Sequence, residues 1–487
     1  MLAAFSWRLT RALLAVAGLL SLGACAVPLG HGYTIAQQQI EVRYVTAPVP
    51  HLAVRAIFRL NNTGNQPLTS IDVRLPDENA FRRENLRVRL DNDDTSPQFA
   101  PNSRGNGRIH IPLGSPWLQK QQREIVLAFD LSTRISEDAA TIVEQDHVYL
   151  QPRGWYPLLL PPTGLFARGG KPPKRWDLIV GLPEGFLVHT GGRPRSQRKQ
   201  AGEVAHRFEQ RNKDPDLFVL AGRYREQRVR SPSGEVIFWT LQALPAEQAQ
   251  RAGQQIGAAW KALEAAFGPP SARARPFWIV NGAERFPALD VLGQLAASFP
   301  DGAFFEPQLF VRGSVSDSSL CVLDVALAEQ WLEQVTQPEQ ETKDLSYALA
   351  KYATAMSAEG CAAEIYGSGD RKQAVRNSLQ AFQKAREQAS QPRGDHQDRW
   401  RKQADVIKAE LLVFDLEDRI GKERLNRALR RMIQASRGRS WEMESFHSAL
   451  EGETGQRLGE FFRQWLNFAD VPQEFRARYE EGSEVKK

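Results

Sequence analysis

Near Val236 the hydrophobic rhythm of the chain changes, and no other feature limits its fold so tightly. Upstream, from about Gln37 to Glu226, apolar residues recur at every second position in short runs: IEVRYV, VRAIFRL, SIDVRLP, LRVRLD and REIVLAFDL. Turn-forming strings such as NNTGNQP and PNSRGNG separate them. Apolar residues alternating with charged ones fit strands with one face buried and one face wet. Within this region YLQPRGWYPLLLPP packs aromatics among prolines, and DPDLFVLAGRYRE reads as a late strand. Downstream, EVIFWTLQ reads as a strand and AEQAQRAGQQIGAAWKALEAAFG as a helix, with Ile256, Trp260, Leu263 and Phe267 on one face. Gly268-Pro269-Pro270 stops that helix, and RPFWIVNG reads as another strand. After Leu320 the chain is nearly all helix, broken by SQPRGDHQ near Ser390 and SRGRS near Ser436.

At 487 residues the chain exceeds what one core holds, so this order predicts a multidomain α+β protein. A β-sandwich-like domain is expected over residues 37–230, an α/β-to-helical domain over 231–475, and a charged tail over 476–487.

The first residues carry an address. Arg8 and Arg11 precede the apolar run LLAVAGLLSL, followed by Gly23-Ala24-Cys25. A basic stretch, a short apolar core and small residues before a cut site make a secretory signal peptide, here residues 1–24. The run falls short of the roughly 20 apolar residues that span a membrane. Leu22-Gly23-Ala24-Cys25 resembles the bacterial lipobox, which implies cleavage before Cys25, lipidation of its thiol with palmitate-type chains, and a linker over 25–36. A plain signal with an incidental cysteine is the alternative. Ala26, rather than an acidic residue, resembles lipoproteins sorted to an outer membrane, so the expected location is that membrane, facing the periplasm. Removing the leader lowers the formal charge from +6 to +4, since two arginines and no acidic residue leave with it. So small and scattered an excess lacks the concentrated basic stripe of a nucleic-acid binder. Cys321 and Cys361 remain as an even pair in an oxidising compartment, which invites a disulfide, two buried thiols being the alternative.

Eight strings in order resemble the aminopeptidase N family of zinc peptidases, over roughly residues 37–472. WYP and FVLAGRYRE resemble parts of its β domain, and WKALEAAFGPP the helix and turn that open its catalytic domain. DGAFFEPQLFVRG resembles its edge strand with the G-x-M-E-N-type motif, and LAEQWLEQV resembles H-E-L-x-H-Q-W. DLSYALAKYATA resembles W-L-x-E-G-x-A-x-Y, VIKAELLVFDLEDRIG resembles Y-x-K-G-x-x-x-L…L-G, and LGEFFRQWLNFADVP resembles the closing F-x-x-W…P segment. The resemblance implies a thermolysin-like catalytic domain. Its chemistry rests on two histidines one helical turn apart that bind Zn²⁺, a glutamate between them that activates the bound water, and a glutamate ligand from the next helix. A tyrosine stabilises the oxyanion, and a glutamate on the edge strand holds the substrate's amine.

Carried over residue by residue, the metal site, the base and the oxyanion donor are lost. The histidines fall on Val325 and Glu329, the base on Ala326, and the ligand glutamate on Tyr347. The oxyanion tyrosine falls on Val406 and the amine-binding glutamate on Phe305, although a one-residue slip would restore it at Glu306 next door. None of the eight histidines lies between residues 207 and 395, and no two are four apart. Asp324, Glu329 and Asp344 are scattered carboxylates better suited to surface ion pairs than to a hard cation, so no metal and no cofactor are expected.

The replacements read as a pocket refilled by side chains, with Val322, Val325, Glu329 and Leu332 on one stripe and Leu320, Leu323, Leu327 and Trp331 on another. Glu329 then needs a cation, for which Lys351 and Lys408 are candidates. On the next helix Leu345, Leu349, Tyr352 and Met356 form a stripe, and a turn at Pro338 makes the two helices antiparallel, bringing Cys321 near Cys361. The expected function is a membrane-anchored envelope lipoprotein with an inactive aminopeptidase-like scaffold that binds a peptide or protein partner or serves as an accessory subunit. An active peptidase or hydrolase with a rearranged site is the alternative. A third reading is a carbohydrate- or lipid-binding module using exposed aromatics such as Trp155 and Tyr156, for which packing among the neighbouring prolines and leucines is the favoured alternative.

Overall fold

The computed structural model describes residues 32–480 except 77–80, 100–106, 134–141, 151–154, 163–169, 212–216, 232–233, 269–275, 282–295, 300–301, 306–320, 322–323, 330–331, 333–336, 339–341, 358–360, 391–396 and 437–439. It is a multidomain mixed α/β protein, sheet-rich first and helical last, in two compact units. The first unit takes residues 1–132, 154–182 and 192–213; the second takes 133–153, 183–191 and 214–487.

The first unit holds an eight-stranded sheet in the order Arg193–Gln200, Glu203–Arg211, Arg175–Pro183, Tyr33–Val45, His51–Asn62, Gln122–Thr133, Phe81–Leu90, Asp93–Thr95. Its two long central strands show why the alternating runs fold this way. Val42 lies opposite Val54 and Ile40 opposite Ala56, all buried, while Glu41 and Arg55 face out and pair at 3.2 Å. Arg59 continues the outward row with Glu124 at 2.7 Å on the next strand. Tyr33–Val45 pairs in parallel with Arg175–Pro183, so the sheet is mixed. The first strand begins at Tyr33 rather than Gln37. Tyr33 and Ile35 are buried, and the Tyr33 hydroxyl donates to the Leu160 carbonyl at 2.6 Å, which draws the end of the expected linker into the sheet. A second sheet of four strands runs Leu158–Leu159, Leu68–Arg74, Arg108–Trp117, Gln98–Phe99. The NNTGNQP turn is held by Asn62, whose amide donates to the Trp117 carbonyl and whose oxygen accepts from the Gly64 N–H.

In the second unit FVLAGRYRE is two strands, not one. Val219–Gly222 joins a four-stranded sheet with Leu187–His189, His147–Leu150 and Ile142–Glu144. Arg225–Ser231 instead edges a five-stranded sheet, followed in order by Gly234–Thr240, Phe277–Asn281, Gly302–Phe305 and Ala296–Phe299. The three middle strands are parallel. Parallel neighbours need a crossover, and helix α1 (Ala246–Phe267) lies between the first two in sequence. Its buried face is Ala249, Ala252, Ile256, Ala259, Trp260 and Leu263. Gly253 lets that helix approach the edge strand: a Cβ there would lie 2.5 Å from a methyl of Val229.

Helices α2 (Lys343–Ser357), α3 (Cys361–Tyr366), α4 (Arg371–Ser390), α5 (Gln397–Ile420), α6 (Lys422–Ala435), α7 (Met443–Thr454), α8 (Gly459–Leu466) and α9 (Gln473–Glu480) follow. One apolar core joins them to α1 and the five-stranded sheet. Residues 476–480, expected to open a charged tail, continue α9. Phe475 and Tyr479, one turn apart, are buried, and the Tyr479 hydroxyl donates to Asp418 at 2.6 Å.

Candidate functional site

The positions that would carry metal chemistry sit on three elements of the second unit. Residues 324–329 are helical, as are Cys321 and Leu332. Val325 and Ala326 are 7% and 5% exposed, and Ala326, Leu327 and Ala328 belong to the main core. Helix α2 supplies Tyr347, and α5, packed against α2, supplies buried Val406. Leu345, Leu349 and Tyr352 are buried in that same core, as the stripe on α2 requires.

A charged cluster lies one turn further along both helices. Lys351 follows Tyr347 by four residues and Glu410 follows Val406 by four, so each pair shares a helix face. The Lys351 ammonium donates to Glu410 Oε1 at 2.6 Å, and the Glu410 side chain is 4% exposed. The same ammonium lies 5.2 Å from the ring centre of Tyr366 and 6.0 Å from that of Tyr347. Burial, then the negative charges of Glu329 and Glu410, hold the Tyr347 hydroxyl well above the usual phenol range. Burial, then Glu410, does the same to Tyr366. Both phenols are neutral donors at any physiological pH.

Lys351 is therefore committed to Glu410 rather than to Glu329. The other expected partner, Lys408, donates to the Phe468 carbonyl. The reason is helical phase: Lys351 and Glu410 meet across the α2–α5 contact. Glu410 and Tyr366 were missed in sequence. A lone carboxylate one turn beyond Val406, inside the run AELLVF, is the signal that marks Glu410.

Asp324 departs further from expectation. It is 8% exposed, its Oδ1 has no hydrogen-bond partner among the described residues, and burial pushes its carboxyl up to about 7. It was expected to be a surface or ion-pair residue; instead it is an interior acid, half protonated near neutrality.

Cys321 and Cys361 form a disulfide, with Cα atoms 5.3 Å apart and both residues buried. It ties the helical segment around 324–329 to α3, which packs on α2. Gln337 and Pro338 do more than turn the chain, since they pair in parallel with Ser440 and Trp441. Phe305 ends a strand that lies second from the edge of its sheet, with Ala296–Phe299 outside it. The expected edge position was thus off by one strand. Cys25, Glu306, Leu320, Val322, Leu323 and Trp331 lie outside the described residues. Trp155 and Tyr156 are buried, with ring centres 5.1 Å apart, and Tyr156 lies 6.4 Å from Trp176. Packing among proline-flanked aromatics, not exposure, accounts for them.

The donor set does not fit zinc. Structural and catalytic zinc sites take at least three Cys, His or carboxylate ligands. Val325 and Ala326 have no donor atom, Tyr347 keeps its proton, and Glu410 is engaged by Lys351, which leaves Glu329 as the one carboxylate at a ligand position among the described residues. Among the described residues no three His, Cys, Asp or Glu side chains come together.

No family model matches the chain, and no curated protein matches it in sequence. Solved structures do match. An M1 zinc metallopeptidase from Deinococcus radiodurans aligns over 91% of this chain and 94% of its own, at 15% identity and a TM-score of 0.56. A mutant of that enzyme aligns over the same shares at 15% identity with a TM-score of 0.57. A two-domain M1 zinc metallopeptidase mutant bound to L-tryptophan gives 14% identity, 91% and 96% coverage, and a TM-score of 0.55. The likeness shows an aminopeptidase N-like fold.

Proposed function

We propose that this chain is an aminopeptidase-like scaffold that acts by binding a peptide or protein partner in the bacterial cell envelope, held at the outer membrane by a lipid on Cys25. One observation carries the reading. At the helix that would supply two ligands and the general base, the first ligand position and the base are buried Val325 and Ala326, and only Glu329, at the second ligand position, carries a donor atom. A water-activating centre needs open coordination positions and a base beside them. A helix with Val325 and Ala326 at these positions supplies no base and at most one ligand, Glu329. The finer architecture that the reading adopts is a β-sandwich-like domain followed by a thermolysin-like domain without its zinc site. Fold alone never fixes function, so the partner has to be sought directly.

The alternative reading, an active hydrolase with a rearranged site, draws on the Glu329, Tyr347, Lys351 and Glu410 cluster. Assay of purified protein on a panel of free-amino-terminus peptides decides between them. Release of amino acids that a chelator abolishes would overturn the binding reading. Crosslinking and pull-down from envelope membranes, repeated with a Cys25→Ser chain, tests the partner and the anchor together.

A further inference from the structure

The strand Tyr33–Val45 opens at one end of the eight-stranded sheet, and the exposed charges gathered at that end have one sign. We propose that this pole of the first unit lies against the membrane and binds the anionic headgroups of its phospholipids through Lys120, Lys171, Lys174 and Arg175. The inference rests on the lipid on Cys25 proposed above, which fixes where the chain is held; the pole fixes which way the scaffold faces.

Three observations support it. The first is reach. Cys25 and Gly32 are seven positions apart, a stretch of chain that spans at most about 25 Å, so a lipid on Cys25 keeps the Gly32 end of the sheet beside the bilayer. The second is assembly, since three separate segments meet at Gly32 and Tyr33. The Gly32 carbonyl accepts from the Thr63 and Gly64 N–H groups at 3.0 and 2.9 Å, and the Asn62 carbonyl accepts from the Lys120 N–H at 2.9 Å. The Tyr33 hydroxyl donates to the Leu160 carbonyl, and Gly170, just before Lys171, lies against the backbone of Leu159 and Leu160. The parallel register that sets Gln39 opposite Asp177 brings Lys174 and Arg175 to the same end. The third is charge. Residues 32–39, 61–68, 117–123 and 170–176 contain five cations and no aspartate or glutamate. Arg123 is spent on Asp91 at 2.5 Å, while Lys120, Lys171, Lys174 and Arg175 are exposed and make no ion pair among the described residues. The acidic residues Asp93 and Asp94 lie beyond Arg123, on the outermost strand of that side, and bound the patch. Leu118, on the same turn as Lys120, is 50% exposed and adds an apolar contact. That turn is fixed in place, with the Leu118 N–H donating to Gln121 Oε1 and the Trp117 indole to the Gln121 carbonyl. Anionic lipids attract each nearby lysine or arginine, and the pull fades within a screening length of about 8 Å, so only cations at the pole feel it.

The same sheet supplies the control. Arg198 and Lys199 are also exposed cations, but they pair opposite Ala205 and Val204, close to Glu203, whose carboxylate lies against Gly181. Gly181 is six residues along its strand from Arg175, roughly 20 Å away and beyond the screening length. The test measures cosedimentation of the mature chain, residues 25–487 with Cys25→Ser, so that no lipid masks the pole. The vesicles are phosphatidylcholine alone, or equal parts phosphatidylcholine and phosphatidylglycerol, at low salt. We expect binding to the phosphatidylglycerol vesicles only, and release in about 1 M potassium chloride, where the screening length is about 3 Å. Lys120→Gln/Lys171→Gln/Lys174→Gln should weaken that binding on the order of 100-fold, and each single change about fivefold. Arg198→Gln/Lys199→Gln should bind as the parent does. If the triple variant does not fold, the three single variants decide. Pole variants that bind as the parent does would overturn the proposal, as would a control variant weakened as much as they are. Equal binding to both vesicles would overturn it too, and failure to bind phosphatidylglycerol would hand the pole to an acidic protein partner instead. Mass spectrometry of Cys25 in the wild type keeps the two readings apart. A lipidated Cys25 with a silent pole would refute only the membrane-facing pole, while an unmodified Cys25 with selective vesicle binding would refute only the anchor.

Discussion

Substituting Asp324 by asparagine should make the folded chain less sensitive to pH, and the size of the effect follows from burial. The Asp324 carboxyl is 8% exposed, with no partner on Oδ1 among the described residues, and its pKa stands at about 7 against 3.8 for the free side chain. At about 1.4 kcal/mol for each tenfold change in the proton equilibrium, ionising it in the folded state costs on the order of 4 kcal/mol. The sign is that of a raised carboxyl. Below pH 4 the group is protonated in both folded and unfolded chains and contributes its full stability. As the pH rises to about 7 the unfolded chain releases this proton while the folded chain holds it, and that stability drains away. Above pH 7 both states are ionised and the loss is complete. Asparagine keeps the shape and cannot ionise. Urea unfolding of wild type and Asp324→Asn at pH 4, 5.5, 7 and 8, read as a difference so that other groups cancel, tests this. The variant should gain on wild type by on the order of 4 kcal/mol between pH 4 and 7, then no further. A difference that stays flat across the range would refute the reasoning, because it would mean the carboxylate is solvated or partnered.

Two further outcomes follow from the same unit and its expected anchor. The Cys321–Cys361 bridge closes a loop with a sequence separation of 40, for which chain entropy gives a contribution of about 4 kcal/mol. Cys321→Ala/Cys361→Ala should lose about that much in urea unfolding, and a loss under about 1 kcal/mol would show that the bridge adds little to the packing already there. Cys25→Ser should move the protein from the membrane fraction to the soluble envelope fraction, and unchanged membrane retention would sink the lipid anchor.

What could be read in sequence follows from how local the physics is. Strands such as Tyr33–Val45 and His51–Asn62 announce themselves, because alternation is dictated by the pleat and each outward charge needs only a neighbour across the ladder. Helix α1 was legible for the same reason, its buried face recurring every three or four residues and its end marked by Gly268, which adopts a positive φ of 89°. Cys321 and Cys361 could be paired because they are the even pair left once Cys25 is set aside for the lipid. Partner choice in the interior was not legible. Glu329 had Lys351 and Lys408 as candidate partners, and helix packing, not spacing, awards Lys351 to Glu410 instead. Asp324 looked like a surface carboxylate because one polar residue in a helical stripe does not reveal what packs over it. The splitting of FVLAGRYRE into two sheets likewise depends on which strands come from elsewhere in the chain, and residues 476–480 joined α9 because Phe475 and Tyr479 found a core to enter.

The central claim is that this fold works here without its metal, and metal content tests it most directly. The protein should be purified from envelope membranes without chelators, assayed for zinc by mass spectrometry, and then assayed for release of amino acids from peptides before and after chelation. The account predicts zinc far below one ion per chain and no chelator-sensitive release. One zinc per chain, lost on chelation together with peptidase activity, would contradict it.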